Sequence, residues 1–86
     1  MRNTQKKDSL GNPIFEKDII MYTNGRGVRR GIVEQDGYYW VVKEIGVEYT
    51  DKFLPLHLHE WLLPNRCYNL GTSQNKAILD FLCQKQ

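Results

Sequence analysis

The chain has 86 residues, 12 of them basic and 10 acidic, and 41% of it is apolar. That length accommodates one domain. A net charge of +2 excludes a histone-like basic binder and an acidic tail protein. No apolar run reaches the about 18 residues that a membrane span needs. The charge is uneven, +4 over residues 1–31 and −2 over residues 32–86, so the first part raises a nucleic-acid reading. The two cysteines, Cys67 and Cys83, allow a single disulfide. With no export segment visible, they predict reduced thiols and a cytoplasmic location.

Residues 1–7 read as a polar, frayed tail ahead of a single domain over 8–86. Asp8 to Pro13 is dense in turn formers. Ile14-Phe15 then reads as a short extended piece, Glu16-Lys17-Asp18 as a tight bend, and Ile19 to Thr23 as a strand. Asn24-Gly25 and Arg26-Gly27 make a loop. Val28 to Lys43 predicts a hairpin with Asp36-Gly37 as the central residues of a type I′ turn. That register sets Gln35 against Tyr38, Val33 against Trp40, Gly31 against Val42 and Arg29 against Glu44. The other face pairs Glu34 with Tyr39, Ile32 with Val41, and Arg30 with Lys43. Apolar residues on both faces predict a small barrel or a sheet covered on both sides. The Arg30–Lys43 pair is a like-charge contact that calls for a carboxylate such as Glu16 or Glu48 beside it.

Gly46 breaks the run, and Val47-Glu48-Tyr49 reads as a short strand. Leu54, Leu56 and Leu58 alternate with Pro55, His57 and His59, which predicts an edge strand with one wet face. Arg66 to Leu70 alternates again. Gly71-Thr72-Ser73 then opens a helix through Cys83, with Ile78, Phe81 and Leu82 as its buried stripe.

The run Asp8-x-x-Gly11-x-x-Ile14-Phe15-Glu16-Lys17-Asp18-Ile19-Ile20 resembles the D-x-x-G-x-x-I-Y-E-G-D-I-V signature of the YopX family, small proteins of phages, prophages and other bacterial mobile elements. Arg30-Gly31-x-Val33, Asp36-Gly37 and the aromatic run after them are similar to the family's hairpin, and Leu70-Gly71-Thr72 loosely resembles its terminus. The close part spans residues 8–42. The chain departs from the pattern in three places. It lacks a leading F-R-A-W-D strand, it carries Lys17 where the family has glycine, and it lacks the terminal N-I-Y. The resemblance implies a mostly β fold, a barrel-like sheet with a flanking helix, and a mobile-element origin. It implies no activity.

The candidate sites are few. Gly11, Asp18, Gly31, Asp36 and Gly37 read as scaffold: Asp18 satisfying backbone N–H groups in the bend, and Gly11 and Gly31 serving backbone geometry or close approach. His57 and His59, on one face of a strand, could chelate, yet with Cys67 they match no closed zinc pattern, and no metal or other cofactor is expected. Cys67 with His59 is a conceivable nucleophile–base pairing, but one Cys and one His coexist in most chains and no motif with a mechanism appears, so a non-enzymatic protein is expected. Leu56, Leu58, Trp61 and Leu63 form a candidate protein interface, with a second copy or another host or phage protein as partner. The alternative is nucleic-acid binding by Arg26, Arg29 and Arg30 with stacking on Tyr38 and Tyr39. No membrane partner is expected. The fold expected throughout is mostly β, a small SH3-like or YopX-like barrel of about five or six strands with a C-terminal helix.

Overall fold

A computed structural model describes residues 2–23, 25–63 and 66–74. The fold is mostly β and antiparallel: β1 (Asn3–Lys7), β2 (Pro13–Phe15), β3 (Asp18–Thr23), β4 (Val28–Asp36), β5 (Tyr39–Glu44), β6 (Leu56–His57), α1 (Leu58–Leu62) and β7 (Arg66–Thr72). β1 and β2 form a two-stranded ribbon, and the other strands form a five-stranded sheet in the order β6-β5-β4-β3-β7. The proposed C-terminal helix lies outside the described residues.

Alternation sorts the sheet into two faces. Ile20, Tyr22, Gly31, Val33 and Val42 share one face through the β3–β4 and β4–β5 registers. Ile14 of the ribbon and Leu58 and Trp61 of α1 cover it, and Cys67 completes the core. The opposite face carries Ile19 and Val41, both buried, so apolar residues are indeed covered on both sides.

The hairpin forms with its faces as predicted but its register moved by two residues. Val33 pairs with Val42, Gln35 with Trp40 and Asp36 with Tyr39, leaving Gly37-Tyr38 as the loop. Gly37 has φ +61° while Tyr38 does not have positive φ. Glycine at the first central position is the type II′ arrangement, which competes with type I′ for an Asp-Gly-Tyr sequence. A shift of two preserves which face each side chain occupies. It separates Arg30 from Lys43, which now lies opposite Ile32. Lys43 instead pairs with Glu34 at 3.3 Å, and so does Lys17, so the balancing carboxylate is neither Glu16 nor Glu48.

Four further expectations are corrected. The polar tail is ordered from Asn3 to Lys7 as β1: the Thr4 hydroxyl donates to Ile14 O at 2.7 Å, and Glu16 N–H donates to Arg2 O. Val47-Glu48-Tyr49 is loop rather than strand. The edge strand at 54–59 shrinks to Leu56–His57. From Leu58 the chain turns helical because Leu58, Trp61 and Leu62 recur at helical spacing and Glu60 Oε2 accepts from His57 N–H at 2.8 Å, tying off the first turn. Glycine 71 and Thr72 extend β7 instead of opening a helix.

The signature residues do backbone work. Asp18 Oδ2 accepts from Phe15 N–H at 2.9 Å across the bend and from Asn69 Nδ2 at 2.8 Å. Gly11 lies in the turn that Asp8 organises, its N–H donating to Asp8 O. Gly31 provides a close approach: a Cβ there would overlap Val42 Cγ1 and stand 3.1 Å from the Trp61 ring. Lys17, where the resembling pattern has glycine, adopts φ +70°. That conformation costs an L-residue about 1 kcal/mol, while its partly exposed pair with Glu34 returns about 0.5 kcal/mol. Lys17→Gly should therefore stabilise the fold by roughly 0.5 kcal/mol in urea unfolding. A destabilisation greater than about 1 kcal/mol would show that the ion pair outweighs the strain.

Candidate functional site

The basic residues occupy one end of the β4–β5 hairpin. Arg26 sits in the β3–β4 loop, and Arg29 and Arg30 begin β4. Arg29 lies opposite Tyr22 and Arg30 opposite Met21, so the two project to opposite faces. Arg29 Nε stands 3.4 Å from Glu44 Oε1, close enough to attract but without hydrogen-bond alignment. Glu44 Oε1 is buried and accepts no hydrogen bond among the described residues. Val28, Arg29, Arg30, Glu44 and Ile45 line a surface concavity of about 260 Å³ at this end of the hairpin.

Tyr38 and Tyr39 occupy the other end. Tyr38 is 98% exposed at the turn and Tyr39 60% exposed. The strand between Arg29 and Asp36 spans roughly 23 Å at about 3.3 Å per residue. The structure therefore does not bring the arginines and the tyrosines together as one stacking surface.

The four predicted interface residues divide. Leu58 and Trp61 are 2% and 3% exposed and belong to the core, Trp61 meeting Tyr22 edge-on at 4.6 Å. Their burial follows from helix α1, which turns both inward. Leu56 and Leu63 remain exposed. Other large apolar side chains are exposed near the β5–β6 edge: Tyr38 and Tyr39 on the hairpin, Phe53 and Leu54 in the loop before β6, and Leu56, which pairs with Val42 and so lies on the other face of the sheet from Tyr39. Two of them are braced. Tyr39 stacks against His57 at 4.9 Å between ring centres, and Tyr49 stacks on Phe53 at 5.2 Å. Thr50 and Phe53 exchange backbone hydrogen bonds, and the Tyr49 hydroxyl accepts from Glu44 N–H at 3.1 Å. A cleft of about 340 Å³ separates the hairpin tip from this loop and is lined by Asp36, Val41, Tyr49 and Asp51, among others. Glu34, at the cleft's inner end, is hydrogen-bonded first by Lys17 and then by Lys43, which together outweigh its burial and lower its pKa.

The two histidines meet edge-on at 5.6 Å. His57 precedes α1 and His59 lies within it, so they do not share a strand face. No group of three or more His, Cys, Asp or Glu able to hold a metal forms among the described residues. Cys67 is buried, and its thiol donates to Trp61 O at 2.9 Å. Burial, reinforced by the Asp8 charge, pushes that thiol up to about 11. It is a core thiol, not an activated nucleophile. Cys67 should resist iodoacetamide at pH 8 in the folded protein and react when urea is added. Rapid native labelling of the Cys67 peptide, read by mass spectrometry, would contradict this assignment. Cys83, its partner in the one disulfide the sequence allows, lies outside the described residues.

Sequence reasoning missed Phe53, Leu54 and the cleft. Reading Tyr49 and Leu54 as strand residues left Phe53 unassigned and hid the loop that carries all three. It also missed the role of Asp8. Its carboxylate accepts from Leu10 N–H, Asn12 N–H, Asn12 Nδ2 and, across the molecule, Asn69 N–H at 2.8 Å. Among the described residues no helix is long and apolar enough to cross a membrane. No family model matches the chain, and neither the curated proteins nor the solved structures include a significant match.

Proposed function

We propose that this chain is a non-catalytic interaction module that binds a protein partner through exposed side chains near its β5–β6 edge. The observation that carries the reading is the exposure of Tyr38, Tyr39, Phe53 and Leu54 near this edge, with Tyr39 held against His57 and Phe53 against Tyr49. Rigid, exposed aromatics supply contact area at low entropic cost, which is what interface anchors need. The alternative, a nucleic-acid surface, draws on Arg26, Arg29 and Arg30. It has less support, because the tyrosines lie at the far end of the hairpin and Arg29 already faces Glu44. The finer form of the fold, a small SH3-like or YopX-like β-barrel, belongs to the same proposal. So do a mobile-element origin, supported by the resemblance over residues 8–42, and a cytoplasmic location.

Peptides selected from a random display library against the domain test the reading. Their affinity should fall by at least about tenfold, or about 1.4 kcal/mol, on a Tyr38→Ser/Tyr39→Ser/Leu54→Ser variant. It should persist on Arg26→Ala/Arg29→Ala/Arg30→Ala. Ligands that ignore the edge substitutions and depend on the arginines would move the site to the basic end.

A further inference from the structure

The sheet has two faces with apolar residues, and the ribbon and α1 cover only the first. Ile14 of the ribbon and Leu58 and Trp61 of α1 all belong to the core on that side. On the second face the registers line up Ile19 and Met21 of β3 with Ile32 of β4 and Tyr68 of β7. The loop after β5 reaches this face where Tyr49 and Pro55 flank Val41, on the side of β5. Yet Ile19 is 0% exposed, and Met21, Ile32 and Tyr68 are half-buried. Neighbours in a sheet stand beside a side chain and do not cap its end. The burial of Ile19 therefore calls for a cover.

The described chain leaves the sheet at the margin of this face. Ser73 N–H donates at 2.7 Å to the carbonyl of Lys17, which stands just before β3. Ser73 also lines, with Lys17, Ile32 and Ile45, a surface concavity of about 380 Å³. The sequence continues over residues 75–86, where Ile78, Phe81 and Leu82 recur at helical spacing. At a helical rise those residues span about 18 Å, and the distance from β7 across β3 and β4 to β5 is about 14 Å. Point of departure, length and apolar stripe all match the face that needs a cover.

We propose that residues 75–86 of the same chain cover the second face, seating Ile78, Phe81 and Leu82 on Ile19, Met21, Ile32 and Tyr68. Continuity selects this occupant: a segment tethered beside the face meets it at about millimolar effective concentration, ahead of a separate partner. The chain thereby closes its second face to other proteins. The assignment uses neither the β5–β6 edge nor its tyrosines.

Nuclear Overhauser spectra of the intact, methyl-labelled chain test it. Cross-peaks should join the Phe81 ring to the methyl groups of Ile19, Met21 or Ile32 and persist on dilution. Phe81→Leu, which stays apolar but removes the ring current, should shift those methyls and leave Ile14 and Ile20 of the first face in place. Phe81→Ser should lower the thermal midpoint by at least about 4 °C. Phe81 cross-peaks to Ile14 or Ile20, none to the second face, or a midpoint that Phe81→Ser leaves unchanged would each overturn the proposal. So would cross-peaks found only between labelled and unlabelled copies, which would make a second chain the cover. Peptide binding at the β5–β6 edge is read separately, so either proposal can fail without the other.

Discussion

Gly31→Ala should lower the stability of the fold by about 3 kcal/mol, at the upper end of ordinary overpacking. The new methyl would overlap Val42 Cγ1 and meet Lys43 O and Trp61 Cη2, each at 3.1 Å. None of these can retreat cheaply. Val42 is fully buried and β-branched, so its χ1 is stiff. The Lys43 carbonyl belongs to the sheet, and Trp61 is wedged against Tyr22. For a domain this size, about 3 kcal/mol corresponds to a fall in melting temperature of roughly 12–24 °C. The double variant Gly31→Ala/Val42→Ala should recover part of the loss, because it removes the worst contact. A thermal midpoint within about 3 °C of the wild type would mean that β4 and β5 can spread apart, contrary to a close-packed core.

Asp8→Ala should cost a similar amount, about 3 kcal/mol, for a different reason. Four donors converge on its carboxylate, and one of them, Asn69 N–H, lies on the outer edge of β7. Hydrogen bonds to a charged acceptor contribute about 1.5–3 kcal/mol each in favourable cases, and the orphaned donors add a desolvation cost. Burial pushes the Asp8 carboxyl up, but the hydrogen bonds from Asn69, Asn12 and Leu10 outweigh it, and the pKa falls below its ordinary 3.8. The sign follows. The stabilisation is complete above the unfolded value and is lost as pH falls through the lowered folded one. Urea midpoints of wild type and variant should therefore differ most near neutrality and converge below about pH 4. A difference that persists unchanged in acid would assign the effect to the lost side-chain packing, not to the charge.

The outcomes at particular residues show what the sequence could reveal. The hairpin faces were legible because alternation is a property of the chain itself, and they survived a register error of two residues. The register was not legible, because Asp36-Gly37-Tyr38 suits two turn types and the choice rests on contacts beyond the turn. Strand β1 was hidden because its single inward residue is Thr4, a polar side chain that hydrogen-bonds to Ile14 O. Hydrophobic pattern cannot register that. Residues 54–59 alternate as a strand does, yet Leu58, Trp61 and Leu62 also carry a helical stripe, and burial against Tyr22 and Gly31 decides between them. The scaffold roles of Asp18 and Gly31 were readable from residue type. The different exposures of Leu56 and Leu58 were not, because they depend on what each side chain packs against in three dimensions.

The sheet order also has a consequence for the sequence of folding events. β4 and β5 can zip from their own turn at Gly37-Tyr38, a local step that loop-closure entropy barely opposes. β3 meets β4 across the short 24–27 loop, but β7 joins β3 from far along the chain, and Asp8 meets Asn69 only across 61 positions. Such distant pairings are the slow part of a β protein's assembly and form on the native side of its transition state. Asp8→Ala should then leave the refolding rate nearly unchanged and accelerate unfolding. The carboxylate at the start of the chain is in this sense a latch, closed last and opened first, and its strength sets how long the folded molecule lasts more than how quickly it forms.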